Sequence, residues 1–129
     1  MSPVRTIEIF QKTPSPQTFL AGEVIFKEGQ PGNIVYGIIE GEVDLLAKGQ
    51  VVETIKRGDV FGQGALVQSE GTRASTAIAK TDCLIAWLDR QHFLFAIEHT
   101  PMCAVDLLKS FSTRTRSLKQ NLAFQLSKE

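Results

Sequence analysis

Between Asp59 and Ser75 the chain reads DVFGQGALVQSEGTRAS, with three glycines and a run of small residues ahead of one arginine, Arg73. Binding a phosphate without a metal takes a guanidinium and several backbone N–H groups aimed at one point. Gly62, Gly64 and Ala65 let the backbone come close, and a short helical turn in GQGALV would point its free N–H groups at an anion. Arg73 follows across the turn QSEGT, so the chain can fold back and bring it to the same spot, and Ala74 and Ser75 have little side chain to obstruct approach. The candidate ligand-binding set is therefore Phe61, Gly62, Gln63, Gly64, Ala65 and Leu66 together with Arg73, Ala74 and Ser75. Each feature alone fits a glycine-rich turn beside a surface arginine. Together, in a β-rich chain followed by a lid-like helix, they favour a binding site.

The elements that must hold this stretch are legible in the hydrophobic pattern. Residues 4–12, VRTIEIFQK, place Ile7 and Phe10 on one helical face, and the prolines of TPSPQ end that short helix. From Thr18 to Asp89, Val-, Ile- and Phe-rich runs alternate with glycine-bearing turns, which is the texture of a β-sandwich or β-barrel. The runs are TFL, EVIFK, IVYGIIE, EVDLLA, VVETIK, VFG, ASTAIA and CLIAWLD, and LLAKGQVVETI reads as a hairpin turning at Lys48-Gly49. After Asp89, suited to N-capping, the period becomes helical. Pro101 starts a second helix with no further Gly or Pro. Along it Leu108, Phe111, Thr115, Leu118 and Leu122 form a heptad seam that can pack on the roll, on a second copy, or on both. The expected fold is mainly β with flanking α: an eight-stranded, jelly-roll-like β-roll over about 18–89, a short N-terminal helix, and C-terminal helices over about 90–126.

Composition narrows the function classes. At 129 residues the prior is one domain spanning 1–129. Lys plus Arg and Asp plus Glu both number 14, so the formal charge is zero, which argues against a nucleic-acid binder. One arginine still suffices for one small anion. Cys83 and Cys103 lie in apolar contexts and read as small buried residues. No apolar run approaches a membrane span and the N-terminus lacks a signal-peptide core, so a cytoplasmic location is expected. His92 and His99 fall in the helix after the strands and are read as solvated rather than metal ligands. Arg114 and Arg116 take the same solvated default, and Trp87 is assigned to the core. Without a nucleophile–base set or a paired-carboxylate cleft, the chain is not read as an enzyme.

The pieces AGEVIFKEGQPG, VYGIIEGEV, RGDVFGQGAL, TRAST and AKTDCLIAWLDRQHF occur in order along most of the chain. In this it resembles the cyclic nucleotide-binding domain shared by catabolite-activator-type regulators, regulatory subunits of cAMP-dependent kinase and gated channels, and in particular short bacterial versions made of this domain alone. The resemblance implies a β-roll whose glycine-rich turn is a phosphate-binding cassette. Arg73 would then pair with the cyclic phosphate, and Ala74 and Ser75 would add backbone or hydroxyl contacts. It implies a cyclic nucleotide ligand, cAMP by family prevalence with cGMP or none left open. The heptad seam predicts a homodimer formed through the C-terminal helix, which would relay the signal to an unidentified protein partner.

Three departures bear on that expectation. The family carries Glu where this chain has Gln63, and that Glu takes the ribose 2′-hydroxyl. Gln63 can still accept a hydrogen bond but loses charge assistance, a deficit of about 1–1.4 kcal/mol or up to roughly tenfold in affinity. The helix positions that read adenine in the catabolite-activator type align with Leu118 and Lys119. No helix-turn-helix follows the last helix, and the start at Met1 favours a stand-alone module. The competing expectation is a β-roll interaction module that binds no cyclic nucleotide, or takes a different anion.

Overall fold

The computed structural model describes residues 15–128, so the helix expected at 4–12 lies outside the described residues. Eight strands follow in chain order: β1 (Gln17–Phe19), β2 (Val24–Phe26), β3 (Ile34–Glu40), β4 (Val43–Ala47), β5 (Gln50–Ile55), β6 (Val60–Phe61), β7 (Thr76–Ala79) and β8 (Cys83–Asp89). A one-turn helix, α1 (Gly64–Val67), sits between β6 and β7, and α2 (Arg90–His99) and α3 (Pro101–Ser127) close the chain. The strands form two four-stranded antiparallel sheets ordered β1-β8-β3-β6 and β2-β7-β4-β5. This is the expected eight-stranded β-roll with a long C-terminal helix.

The strand sequences explain which sheet lies in the middle. IVYGIIE and CLIAWLD are nearly continuous apolar runs because β3 and β8 are covered on both faces. Tyr36, Ile38, Cys83 and Ile85 point into the roll and pack with Phe26, Val43, Ile55 and Phe61. On the reverse side Val35, Ala86 and Leu88 meet Phe93 of α2 and Cys103 and Leu107 of α3. The outer strand β5 has only Ile55 fully buried, which accounts for its alternating, more polar text. Trp87 is part-buried against the inner cluster, and its indole N–H donates to the Ser15 carbonyl at 3.0 Å.

Local signals place the junctions. Lys48 (φ 51°) and Gly49 (φ 80°) both take positive φ, the conformation of a two-residue hairpin turn, where the sequence placed it. Asp89 caps α2 by accepting from the His92 backbone N–H at 2.8 Å, and the His92 ring contacts the same oxygen at 2.7 Å. These bonds, led by the backbone one, hold the Asp89 carboxyl below its ordinary pKa. Pro101 occupies the first turn of α3, where its missing N–H costs nothing. From Thr115 to Lys128 every residue is exposed, although Thr115, Ser117, Leu118 and Asn121 still line cavities shared with β5.

Ile38 is fully buried at the centre of the inner cluster. Ile38→Ala should therefore lower unfolding free energy by about 2–5 kcal/mol, read from the midpoint of urea denaturation at unchanged slope.

Candidate phosphate-binding cleft

Arg73 is the organising residue of the cleft. It is only 6% exposed, yet it lies in a loop that must be pinned from outside. Pinning comes from the segment 27–33. Arg73 N–H donates to the Gln30 carbonyl at 2.8 Å, its own carbonyl accepts from Gly29 N–H at 2.8 Å, and Gly32 N–H donates to Gly71 O at 3.0 Å. The GQPG turn thus serves the arginine rather than merely joining two strands.

Its guanidinium is held on every side. Nη1 donates to Gly62 O and Nη2 to Ile34 O, both at 2.9 Å. The Phe26 ring lies 4.1 Å from Cζ and the Tyr36 ring 5.8 Å, within reach of cation–π attraction. Phe26, Tyr36 and Phe61 stack on one another with centroids 5.3–6.0 Å apart, so the rings are fixed by the core. Gly32 covers another side: a Cβ there would come 2.3 Å from Nε. At Gly62, with φ +82°, a Cβ would meet Nη1 at 2.9 Å, so close approach and backbone conformation both demand glycine.

What the arrangement leaves open is chemically specific. Arg73 Nε is buried without a hydrogen-bond partner, and among the described residues no carboxylate pairs with this guanidinium. Burial draws its pKa below the ordinary arginine value, while the neighbouring Tyr36 phenol acts in the opposite sense. Burial likewise raises the pKa of Tyr36, against the pull of the Arg73 charge. A desolvated cation with donors to spare is costly unless an anion completes it.

Beside Arg73 lies a cavity of about 220 Å³ lined by Gly62, Gln63, Gly64, Ala65, Arg73, Ala74 and Ser75, with Phe26, Leu45, Glu53 and Arg114. Nearly the whole predicted set is brought together there. The exceptions are Phe61 and Leu66, which lie in the inner and outer hydrophobic clusters and support the turn from below. At the start of α1 the Leu66 N–H donates to the Gln63 carbonyl at 3.0 Å, and Gly64 and Ala65, the first two residues of the turn, line the cavity. Gln63 makes no capping bond, and its Oε1 is buried without a donor. That orphan acceptor matches a hydroxyl.

Two contributors were absent from the expectation. Arg114, read as solvated, is instead largely buried at 16% side-chain exposure and pairs with Glu53 through Nε–Oε2 at 2.7 Å and Nη2–Oε1 at 3.2 Å. Its Nη1 donates to Val60 O at 2.6 Å and stands 3.5 Å from Asp59 Oδ1. No local pattern marks the pair, since sixty-one positions separate its members. The seam residues also part company. Phe111 packs against the outer cluster, whereas Leu108, Leu118 and Leu122 are 67%, 38% and 60% exposed. Thr115 and Leu118 line a second cavity, of about 200 Å³, shared with Gln63, Phe111, Glu53 and Arg114.

Comparison with known proteins agrees with this geometry. A family model described as the cyclic nucleotide-binding domain matches residues 16–100, and the chain belongs to that family. The regulatory subunit of cAMP-dependent protein kinase from Emericella nidulans is 42% identical over 77 residues, covering 58% of this chain and 18% of that protein. The chain therefore matches under a fifth of that relative's length. Among solved structures, the Thermus thermophilus catabolite activator protein superposes with a TM-score of 0.74 at 25% identity, over 94% of this chain and 59% of its own. The Xanthomonas campestris global regulator CLP, described as c-di-GMP responsive, superposes at TM-score 0.83 and 18% identity, over 93% of this chain and 63% of its own. At that identity the likeness is one of fold. Among the described residues no helix is long and apolar enough to cross a membrane.

Gly32 and Gly64 offer a matched test of the packing. Gly32→Ala pushes the guanidinium off Phe26 and its two carbonyls, and should cost about 1–3 kcal/mol in urea unfolding. Gly64→Ala adds a methyl to open space at ordinary φ and should stay within about 0.5 kcal/mol of the parent.

Proposed function

We propose that the chain is a non-catalytic regulatory module spanning 1–129. In it a cyclic mononucleotide, with cAMP as the first candidate, seats its phosphate on Arg73 and the 62–66 backbone. The observation that carries this reading is the buried Arg73, which lines the cavity, lacks a carboxylate partner among the described residues and keeps Nε unbonded. A cyclic phosphate supplies the missing charge and acceptors together. The orphan Gln63 Oε1 then accepts from the sugar 2′-hydroxyl, and Ala74 and Ser75 leave room for the phosphate. The base extends towards the second cavity beside Phe111, Thr115 and Leu118. Since a ligand shifts only an existing equilibrium, the helices over 90–126 must have two arrangements of differing affinity.

The relay runs through a homodimer. The distal part of α3 exposes Leu118, Leu122 and Leu126 at helical spacing, and the last two lie beyond the cavities that α3 shares with the roll. Several turns of helix without tertiary contact are marginal in water. A second copy offers the same seam and stabilises both. Phe111, already packed on the roll, ties the seam to the site rather than joining it.

Calorimetric titration of the parent, Arg73→Ala and Gln63→Glu with cAMP and cGMP tests the ligand. The parent should bind, Arg73→Ala should lose at least about 2 kcal/mol, and Gln63→Glu should gain up to roughly tenfold for cAMP. No heat from either nucleotide near millimolar concentration would instead favour the interaction module. Sedimentation equilibrium tests the dimer: the parent should show a concentration-dependent dimer mass and Leu122→Glu a monomer. A parent mass that stays monomeric at every concentration defeats the seam.

A further inference from the structure

Glu53, on β5, lines both the cavity that contains Arg73 and the neighbouring one walled by Phe111, Thr115 and Leu118. An occupant anchored at Arg73 that outgrows the first cavity therefore meets this carboxylate on entering the second. The Glu53 side chain is only 16% exposed, and each of its oxygens accepts once from Arg114. Among the described residues no other donor reaches either oxygen. An ionised carboxylate has about four lone-pair positions, so each Glu53 oxygen keeps acceptor capacity that the fold does not use. Withdrawn from water, that capacity is best satisfied by donors on whatever fills the cavity. Arg114 sets the direction in which it points. The two-bond fork fixes the plane of the carboxylate, and the Val60 carbonyl in turn fixes the guanidinium.

We propose that Glu53 selects the nucleobase of the ligand, and that the base it selects is guanine. The inference rests on the function proposed above and departs from it in one respect, since it makes guanine rather than adenine the preferred base. A carboxylate only accepts, and its two oxygens lie side by side, so it favours a partner with two adjacent N–H donors. Guanine carries N1–H and the N2 amino group next to each other on one edge. Adenine sets a single amino group beside the bare lone pair of N1, so one Glu53 oxygen would face another acceptor. That mismatch leaves a withdrawn polar group unpaired on each side. The pairing with Arg114 also balances the carboxylate's charge, so that a phosphate at Arg73 is not repelled from the same cleft. Phe111 and Leu118, in the second cavity, offer apolar cover to either purine and do not discriminate between them. Selection therefore falls to Glu53.

Calorimetric titration of the parent with cGMP, cAMP and cyclic inosine monophosphate reads the base directly. The inosine nucleotide keeps N1–H and lacks the N2 amino group. Binding of cGMP should be about tenfold tighter than that of cAMP, with the inosine nucleotide between them. Glu53→Gln replaces one acceptor by an amide donor, which suits the donor–acceptor edge of adenine. The variant should bind cGMP about tenfold more weakly and cAMP more tightly, so that the order of preference reverses. A Glu53 that only braces α3 would weaken both nucleotides alike in this variant, and that result overturns the proposal. The three nucleotides on the parent decide the matter even if Glu53→Gln does not fold. An inosine nucleotide as tight as cGMP, or cAMP as tight as either, overturns the selection. Absence of binding of all three by the parent defeats the proposed function and this inference with it. Equal binding of cAMP and cGMP, both abolished in Arg73→Ala, keeps the function and overturns the choice of guanine alone.

Discussion

A guanidinium taken out of water with no carboxylate partner among the described residues is the constraint around which this molecule is arranged. Arg73 needs acceptors, and it finds them in the carbonyls of Gly62 and Ile34 rather than in an acid. It needs a polarisable surface, and the Phe26 ring provides one. It needs room, which only a residue without Cβ can give at positions 32 and 62. Each requirement is met from a different part of the chain, so the strands, the GQPG turn and the cassette have to be in place before the charge is tolerable. The roll holds the cation and leaves its balance open.

The same architecture joins the loop around Arg73 to the C-terminal helices. The sheet β1-β8-β3-β6 is covered on both faces, by the second sheet and by the helices. Val60 and Phe61, at the edge of that sheet, face opposite ways: Phe61 joins the inner cluster and Val60 the outer one. Immediately beyond them lies the cassette. Leu66 of α1 packs in the same cluster as Cys103 and Leu107 of α3. Close packing thereby joins α1 to α3, in addition to the ion pair of Glu53 with Arg114.

Much of the fold was legible because it is local. IVYGIIE and CLIAWLD are strands over the same residues that the runs marked, and Lys48-Gly49, Asp89 and Pro101 act where their backbone chemistry placed them. The cassette was legible for the same reason, since glycines, a one-turn helix and the returning arginine lie close in sequence. Nothing local singles out Gly32, because the guanidinium it makes room for is far along the chain. Arg114 was read as solvated because a polar helix face looks the same whether it meets water or a carboxylate on another element. Phe111 sat on a heptad with Leu108 and Leu118, but the roll rather than a seam determines its surroundings.

By itself, then, the sequence determined the alternation of strands and turns, the start of each C-terminal helix with the Asp89 cap of the first, and a glycine-rich turn followed by one arginine. These follow from backbone propensity, hydrophobic period and short loops, all of which act over a few residues. Tertiary structure alone decided that Arg73 is buried against Phe26 and Gly32, that Gln63 keeps an unbonded oxygen, and that Glu53 closes on Arg114 beside the cleft. Burial and pairing depend on which surfaces meet when two sheets and a helix pack. That juxtaposition joins residues up to sixty-one positions apart, beyond the reach of any local pattern.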